Sequence, residues 1–229
     1  MTFPNAIEHR RSRIAGKIDT RAGGAAWWLA SGAIPVFAFQ PRGAFDYAIS
    51  KINLVNPGTY DATDGANYPT WATDTGWYFS TNKYLDVAYA SQTKPFSVIA
   101  KLTPGGSGNR AFIGSSGDAS LEIRISAAGK LEALKALVDV IGTSNSVIGS
   151  NSIVSFTYSN VGAFIIYLNG ASDGSGTNNQ TFNAGNTRIG FNCPSSNEYY
   201  SGYILAIAKY DLVLTAAQVL DISTILAAI

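Results

Sequence analysis

Apolar and polar residues alternate with a period of two over much of this chain, and two is the period of a strand. The clearest case is SLEIRIS, Ser120 to Ser126. Leu121, Ile123 and Ile125 fall on one face and Glu122 and Arg124 on the other, which predicts a strand with one buried and one wet face. Other short runs read as strands: GWYF at Gly76–Phe79, Tyr84 to Val87, FSVIAKL at Phe96–Leu102, Arg110 to Ile113, IVSFTY at Ile153–Tyr158, AFIIYL at Ala163–Leu168, Thr187 to Phe191 and Tyr203 to Tyr210. The turn residues Gly, Ser, Thr and Asn recur between them. Asn169-Gly170 tolerates the positive φ of a tight hairpin and is the strongest local turn signal. Roughly ten short strands with turns every 8 to 12 residues predict a β-sandwich or barrel.

Two segments carry a helical period. Gly129 to Val140, GKLEALKALVDV, spaces Leu131, Leu134, Leu137 and Val138 as a helix would and contains good helix formers. It follows SLEIRIS through Ala127–Lys130, a plausible hairpin turn, so context favours strand and leaves helix as the alternative. At the C-terminus, Thr215 and Gln218 have capping-box spacing, and Val219, Ile222, Leu226 and Ile229 form one apolar stripe. That predicts an amphipathic helix seated on a sheet.

Composition narrows the function classes. Charged residues are only 14% of the chain and the net charge is +1, so no chain-wide field favours nucleic acid. The charge is uneven: Met1 to Arg21 holds Arg10, Arg11, Arg13, Lys17 and Arg21 against Glu8 and Asp19. Residues 1–24 therefore read as a basic N-terminal arm that docks to a partner, and residues 25–229 as one domain. Arg10, Arg11 and Arg13 are the candidate docking residues, with Trp27 and Trp28 anchoring the arm to the domain or to a neighbouring subunit. The most apolar stretch, Ala25 to Phe39, is too short to span a bilayer and is read as buried strand plus turn, so no membrane insertion is expected. No secretory signal is legible. One Cys excludes an intrachain disulfide framework, and one Cys with one His excludes structural zinc.

The order of the strands resembles a known family. FSVIAKLTP, then RAFIGSSGDASLEIRISAAGKL, the hairpin at Ile166–Gly170, Ile189-Gly190, Tyr200–Ile204 and finally Leu214–Gln218 follow the sequence of segments in the laminin-G-like branch of the concanavalin A-like lectin/glucanase superfamily. The resemblance covers about Ala44 to the C-terminus and implies an all-β fold: a two-sheet antiparallel jelly-roll sandwich, here with an N-terminal arm and a short C-terminal helix. Lys51 to Trp77 is similar to segments that precede this domain in bacteriophage virion proteins, which implies a virion setting. Sugars, and often calcium, are the ligands the family suggests.

The chemistry of glucanase members is not found. They carry acid–x–acid–x–x–acid on one strand, whereas SLEIRIS offers Glu122 alone, with Arg124 beside it. His9 lies in the arm, so a Ser-His-Asp site would depend on a tail residue, and Cys193 has no His or basic run near it in sequence. Gly105-Gly106-Ser107-Gly108 is a turn between strands, not a phosphate loop. Asp61, Asp64 and Gly65 look faintly like a calcium loop, but the twelfth position is Ala72, not Glu. Asp118 and Asp173 are read as turn formers. No catalytic residue, metal ligand or cofactor is assigned, calcium being the one ion the family brings into play.

Aromatic residues are the remaining candidates, since a ring suits the C–H face of a pyranose while amides bond its hydroxyls. Trp71, Tyr199 and Tyr200, with Asn197, form the candidate glycan site, while Trp77 and Phe79 are read as core. The expectation is a non-enzymatic virion protein, a capsid decoration, fibre or tail adhesion module. Its partners are other virion subunits, host-surface glycans and further copies of itself. The alternatives are a glycan hydrolase or lyase with a relocated acid pair, and a purely structural decoration protein.

Overall fold

The computed structural model describes residues 26–89, 95–106, 110–116, 122–135, 138–141, 147–177, 185–191 and 198–229. In chain order the strands are β1 (Phe37–Phe39), β2 (Ala62–Asp64), β3 (Thr70–Ala72), β4 (Gly76–Phe79), β5 (Leu85–Val87), β6 (Phe96–Pro104), β7 (Arg110–Ser115) and β8 (Glu122–Ile125). They continue with β9 (Leu131–Lys135), β10 (Val138–Ile141), β11 (Ser152–Tyr158), β12 (Ala163–Leu168), β13 (Ala171–Thr177), β14 (Thr187–Ile189) and β15 (Gly202–Tyr210). The helices are α1 (Tyr47–Ser50) and α2 (Ala216–Ala227), with a 3₁₀ turn at Trp27–Leu29.

All pairings are antiparallel, in two sheets. One has eight strands, ordered β13-β12-β11-β6-β15-β4-β3, with β1 also paired to β15. The other has seven, ordered β10-β9-β8-β7-β14-β5-β2. This is the expected all-β sandwich. GKLEALKALVDV is resolved in favour of strand: β8 and β9 pair with Ile125 opposite Leu131, and β9 pairs with β10. Gly129 closes the first turn at a φ of 79°, where a residue with a Cβ is disfavoured. The hairpin places Leu131 and Ala133 in the core, so tertiary pairing outweighs the helix propensity of the leucines. The Asn169-Gly170 turn holds as predicted, with φ of 51° and 85°.

Two cores result. Between the sheets lie Phe37, Phe39, Trp77, Phe79, Val98, Phe112, Ile123, Ile125, Phe156, Ile189 and Ile204, with Trp77 and Phe79 at 0% exposure as core residues. The second core covers the outer face of the eight-stranded sheet. Helix α2 has the predicted capping box at Thr215 and Gln218 and lays Val219, Ile222 and Leu226 against Ile99, Ile153, Ala206 and Tyr210. Trp27 and Trp28 are only 1% and 2% exposed, in that same layer. Trp27 Nε1 donates to Gln40 Oε1 at 3.1 Å, and Tyr210 donates its O–H to the Trp28 carbonyl at 2.7 Å. Both tryptophans, read as anchoring the arm to the domain or to a neighbouring subunit, are thus engaged by their own domain. Arg10, Arg11, Arg13 and His9 lie outside the described residues, as do Asp118, Cys193 and Asn197.

The end of α2 is clamped by a buried cation. Lys101, on the outer face of β6, donates from Nζ to the carbonyls of Leu226, Ala227 and Ile229 at 2.9, 3.0 and 3.1 Å. A cation at a helix C-terminus answers both the unpaired carbonyls and the negative end of the dipole. Burial, and secondarily the charge of Arg42, lowers the lysine's proton affinity. Asp173 departs from expectation: it lies within strand β13 and is only 6% exposed, instead of shaping a turn. Among the described residues no helix is long and apolar enough to cross a membrane.

Truncation of the second core is expected to be costly. Trp27→Ala should lower unfolding free energy by about 3–5 kcal/mol, and Lys101→Met, which leaves the Ala227 carbonyl without its donor and removes the cation from the helix end, by about 1–3 kcal/mol. Urea unfolding followed by circular dichroism measures both; a change under about 0.5 kcal/mol in either, the range of an ordinary surface substitution, would show that the layer is not part of the folded unit.

Candidate functional site

With α2 and the tryptophan layer over the eight-stranded sheet, the outer face of the seven-stranded sheet is the one that no described helix covers. Strand parity and register define what it carries. On β8 and β9, Ile123, Ile125, Leu131 and Ala133 face the inter-sheet core, so Glu122, Arg124 and Glu132 face outward. Across the sheet, Gly114 on β7 pairs with Arg188 on β14, Arg188 with Asp86 on β5, and Asp86 with Thr63 on β2.

The wet face expected of SLEIRIS is not wet. Glu122, Arg124 and Glu132 are 3%, 9% and 7% exposed. Arg124 sits among three carboxylates: Nε donates to Glu132 at 2.9 Å, and Nη1 to Glu122 at 3.4 Å and to both oxygens of Glu198 at 3.1 and 3.0 Å. Glu198 enters from the loop before β15 and hydrogen-bonds Glu122 as well. Burial above all, then the bond to Glu198 and its charge, pushes the Glu122 carboxyl up to about 9, against the opposing pull of Arg124. Two carboxyl groups in contact cannot both ionise cheaply, so Glu122 keeps its proton at neutral pH. Burial disfavours the Arg124 charge, but the Glu132 hydrogen bond and the charges of Glu122 and Glu198 outweigh it and raise its proton affinity.

An aromatic cluster adjoins these acids through Tyr199, the residue after Glu198. Tyr199 stacks on Phe191 with centroids 4.4 Å apart and planes 13° from parallel, and Phe191 meets Tyr84 at 5.5 Å. Gly190, at a φ of 87°, lies so close to Phe79 that a Cβ would strike the ring. Beyond it, Phe191 joins Arg188, Tyr84 and Tyr199 instead of the inter-sheet core. The Arg188 guanidinium lies over Tyr84 at 4.7 Å and Phe191 at 5.2 Å, and its Nε donates to Asp86 at 3.0 Å. Tyr84, Asp86, Arg188 and Tyr199 are partly exposed, backed by a buried Phe191.

The predicted aromatic set is not brought together. Tyr200 is 0% exposed, its ring edge-on to Phe79 and Phe112 and its O–H donating to the Tyr203 carbonyl at 3.2 Å. It is a core residue, and its removal from the glycan site is a correction with a simple cause: neighbours in an extended chain point to opposite sides. Trp71 lies on β3 of the other sheet, packs against the inter-sheet core and donates Nε1 to the Pro41 carbonyl at 2.9 Å. Of the described candidates, Tyr199 alone lies at the outer face of the seven-stranded sheet. Tyr84, Asp86, Glu132, Arg188, Phe191 and Glu198 were not singled out from sequence. Asp86 and Arg188 offered a signal, each a lone charge inside a short apolar strand.

Two other clusters are internally satisfied. Asp61 accepts from the backbone N–H groups of Asn53 and Gly58, and Asp64 from Tyr47 and Lys51, so the faint calcium loop directs its carboxylates to donors. At the far rim, Lys209 points into the inter-sheet core and donates to Asp211 at 2.8 Å, its ammonium over the rings of Tyr89 and Phe96. The cavity beside it, near 10 Å³, holds one water at most.

A family model described as the concanavalin A-like lectin/glucanases superfamily, of laminin-G type, matches residues 74–220. The chain belongs to that superfamily. Solved structures share the fold at low identity. The Trypanosoma rangeli sialidase, in complex with 2,3-difluorosialic acid, aligns at a TM-score of 0.66 and 13% identity over 95% of this chain. This superfamily domain spans only 37% of that sialidase chain. The receptor-binding domain of botulinum neurotoxin type G aligns at 0.59 and 13% identity, covering 85% of this chain and 52% of that one. Domain 4 of an extracellular arabinanase from Geobacillus stearothermophilus, in complex with arabinotriose, aligns at 0.56 and 18% identity over 83% of this chain and 98% of that one. No curated protein matches the sequence.

The shared proton has a thermodynamic sign. Glu122 binds its proton more tightly folded, about 9, than unfolded, 4.5, so its contribution favours folding below pH 4.5 and is lost as pH rises toward 9. The steepest slope one such proton permits is about 1.4 kcal/mol per pH unit. Glu122→Gln stays neutral throughout, so its stability should fall less between pH 5 and 9 than the parent's and should exceed it at pH 9. Denaturant unfolding across that range checks this; parallel curves would show that Glu122 is ionised in the fold.

Proposed function

We propose that this domain is a non-enzymatic binding module that engages glycans on the outer face of its seven-stranded sheet. The observation that carries this is the Tyr199–Phe191–Tyr84 cluster, stiffened by Arg188 and bordered by hydrogen-bonding carboxylates. Aromatic faces beside polar groups suit a pyranose, which presents C–H surface on one side and hydroxyls at its rim. The arabinotriose bound by the arabinanase domain of related fold supports a saccharide as the ligand class.

The acid pair favours binding over hydrolysis. A protonated carboxyl beside an ionised one is what a glycosidase needs, and Glu122 is held protonated. However, hydrolysis needs carboxyls about 5 Å or more apart to admit the sugar or a water, whereas Glu122 and Glu198 hydrogen-bond each other. Glu122 is also only 3% exposed.

The finer setting we propose is a bacteriophage virion, as a capsid decoration, fibre or tail adhesion module with other virion subunits and further copies of itself as partners. The similarity of Lys51–Trp77 to segments of phage virion proteins supports it. A single shallow site binds at about 1 mM, near −4 kcal/mol, and repetition on a particle would supply the avidity. Docking would fall to the basic arm and its Arg10, Arg11 and Arg13, since Trp27 and Trp28 are buried. Deleting residues 1–24 should abolish incorporation into particles; unchanged incorporation would remove the arm from docking.

A panel of soluble oligosaccharides titrated by calorimetry tests the glycan site. At least one should bind, release no reducing sugar, and lose about tenfold in affinity with Tyr199→Ala, the scale of one aromatic contact. Turnover abolished by Glu122→Gln would instead establish an enzyme, and silence across the panel would favour a structural decoration protein.

A further inference from the structure

We infer that this face selects uncharged glycans and excludes those bearing carboxylate or sulfate. The inference rests on the glycan-binding role proposed above and specifies its ligand class. Recognition of an anionic sugar calls for an arginine or lysine with N–H groups aimed at the ligand, typically in a two-pronged arrangement. The two guanidiniums that the described residues place on this face are both engaged by the protein. Arg124 is surrounded by Glu122, Glu132 and Glu198, and Arg188 is bonded to Asp86 while lying flat over Tyr84 and Phe191.

The local charge points the same way. Arg188 and Asp86 cancel. Arg124 is outnumbered by its carboxylates, and even with one of them protonated the described side chains leave this face net negative. Lys83 and Lys130 lie in the turns that enter β5 and β9, and Lys135 ends β9 at a position of the parity of Leu131 and Ala133 instead of that of Glu132. Residues 192–197, which lead into Glu198, contain no ionisable acid or base that could reverse the sign at neutral pH, Cys193 being their one titratable group. A sugar carboxylate seated on Tyr199 would therefore lie beside Glu198 with no unengaged guanidinium among the described residues of this face to meet it. The polar groups at the margin suit hydroxyls: the partly exposed Asp86 carboxylate, which can accept from them, and the Thr63 and Tyr199 hydroxyls.

Calorimetry with matched ligands tests this. The pairs would be a galactose-terminated oligosaccharide with and without terminal sialic acid, and a xylo-oligosaccharide with and without a glucuronic acid branch. The neutral member of a pair that binds should bind about tenfold or more tightly than its acidic partner at low salt, one unit of like charge at close range. Raising salt from about 0.01 M to about 1 M, which shortens the screening length from about 30 Å to about 3 Å, should narrow that gap. Glu198→Gln should narrow it at low salt. Equal or tighter binding of the acidic member, or a gap that salt does not change, would overturn the inference and leave the glycan site standing. No binding by any neutral or acidic ligand would overturn the glycan site itself, and the inference with it.

Discussion

The described residues cover the two sheets of this domain unequally, and the placement of the charged and aromatic groups follows from that. The eight-stranded sheet is sandwiched between the inter-sheet core and a second apolar layer of α2, Trp27 and Trp28. Each of its central strands therefore needs apolar side chains on both faces, and β15 supplies them as Ile204 and Ile207 inward and Ala206, Ala208 and Tyr210 outward. The seven-stranded sheet has one apolar face. Its other face is free to carry charge, and that is where Arg124, Glu122, Glu132, Arg188 and Asp86 stand.

Charge on that face is arranged for position more than for stability. Taking three carboxyls and a guanidinium out of water costs about as much as their attraction returns, so such a cluster contributes little net folding energy. What it does is fix geometry. Arg124 joins β8 to β9 through Glu132, and to the loop before β15 through Glu198, 74 residues away. Glu198 held there sets the next residue, Tyr199, against Phe191. A ring positioned by a buried hydrogen-bond network meets a ligand with less ordering cost than a ring on a loose loop.

The parts of this structure legible from sequence are those with a local cause. Period-two alternation gave the strands, Asn169-Gly170 its hairpin, and Thr215 with Gln218 the start of α2. Strand β13, ASDGSGT, has almost no apolar residues and no alternation to read; it is held by its turn to β12. The misjudged face of SLEIRIS has the same origin. Alternation correctly put Glu122 and Arg124 opposite Ile123 and Ile125, but their burial depends on Glu132 across a hairpin and Glu198 from a distant loop. Tyr199 and Tyr200 differ by one position in a loop without periodicity, so nothing local shows which ring faces out. For Trp27 and Trp28 the sequence leaves open an anchor on the domain or on a neighbouring subunit, because the surface they cover, the outer face of the eight-stranded sheet, is built from distant strands.

Residue-resolved NMR of the ¹⁵N-labelled domain, titrated with a neutral oligosaccharide, bears most directly on the central claim that ligand engages the outer face of the seven-stranded sheet. Amide shifts should concentrate at β5, β8, β14 and Glu198–Tyr199, with those of α2 and Trp27–Leu29 unmoved. Shifts centred on α2, or on Trp71 and β3, would contradict the account.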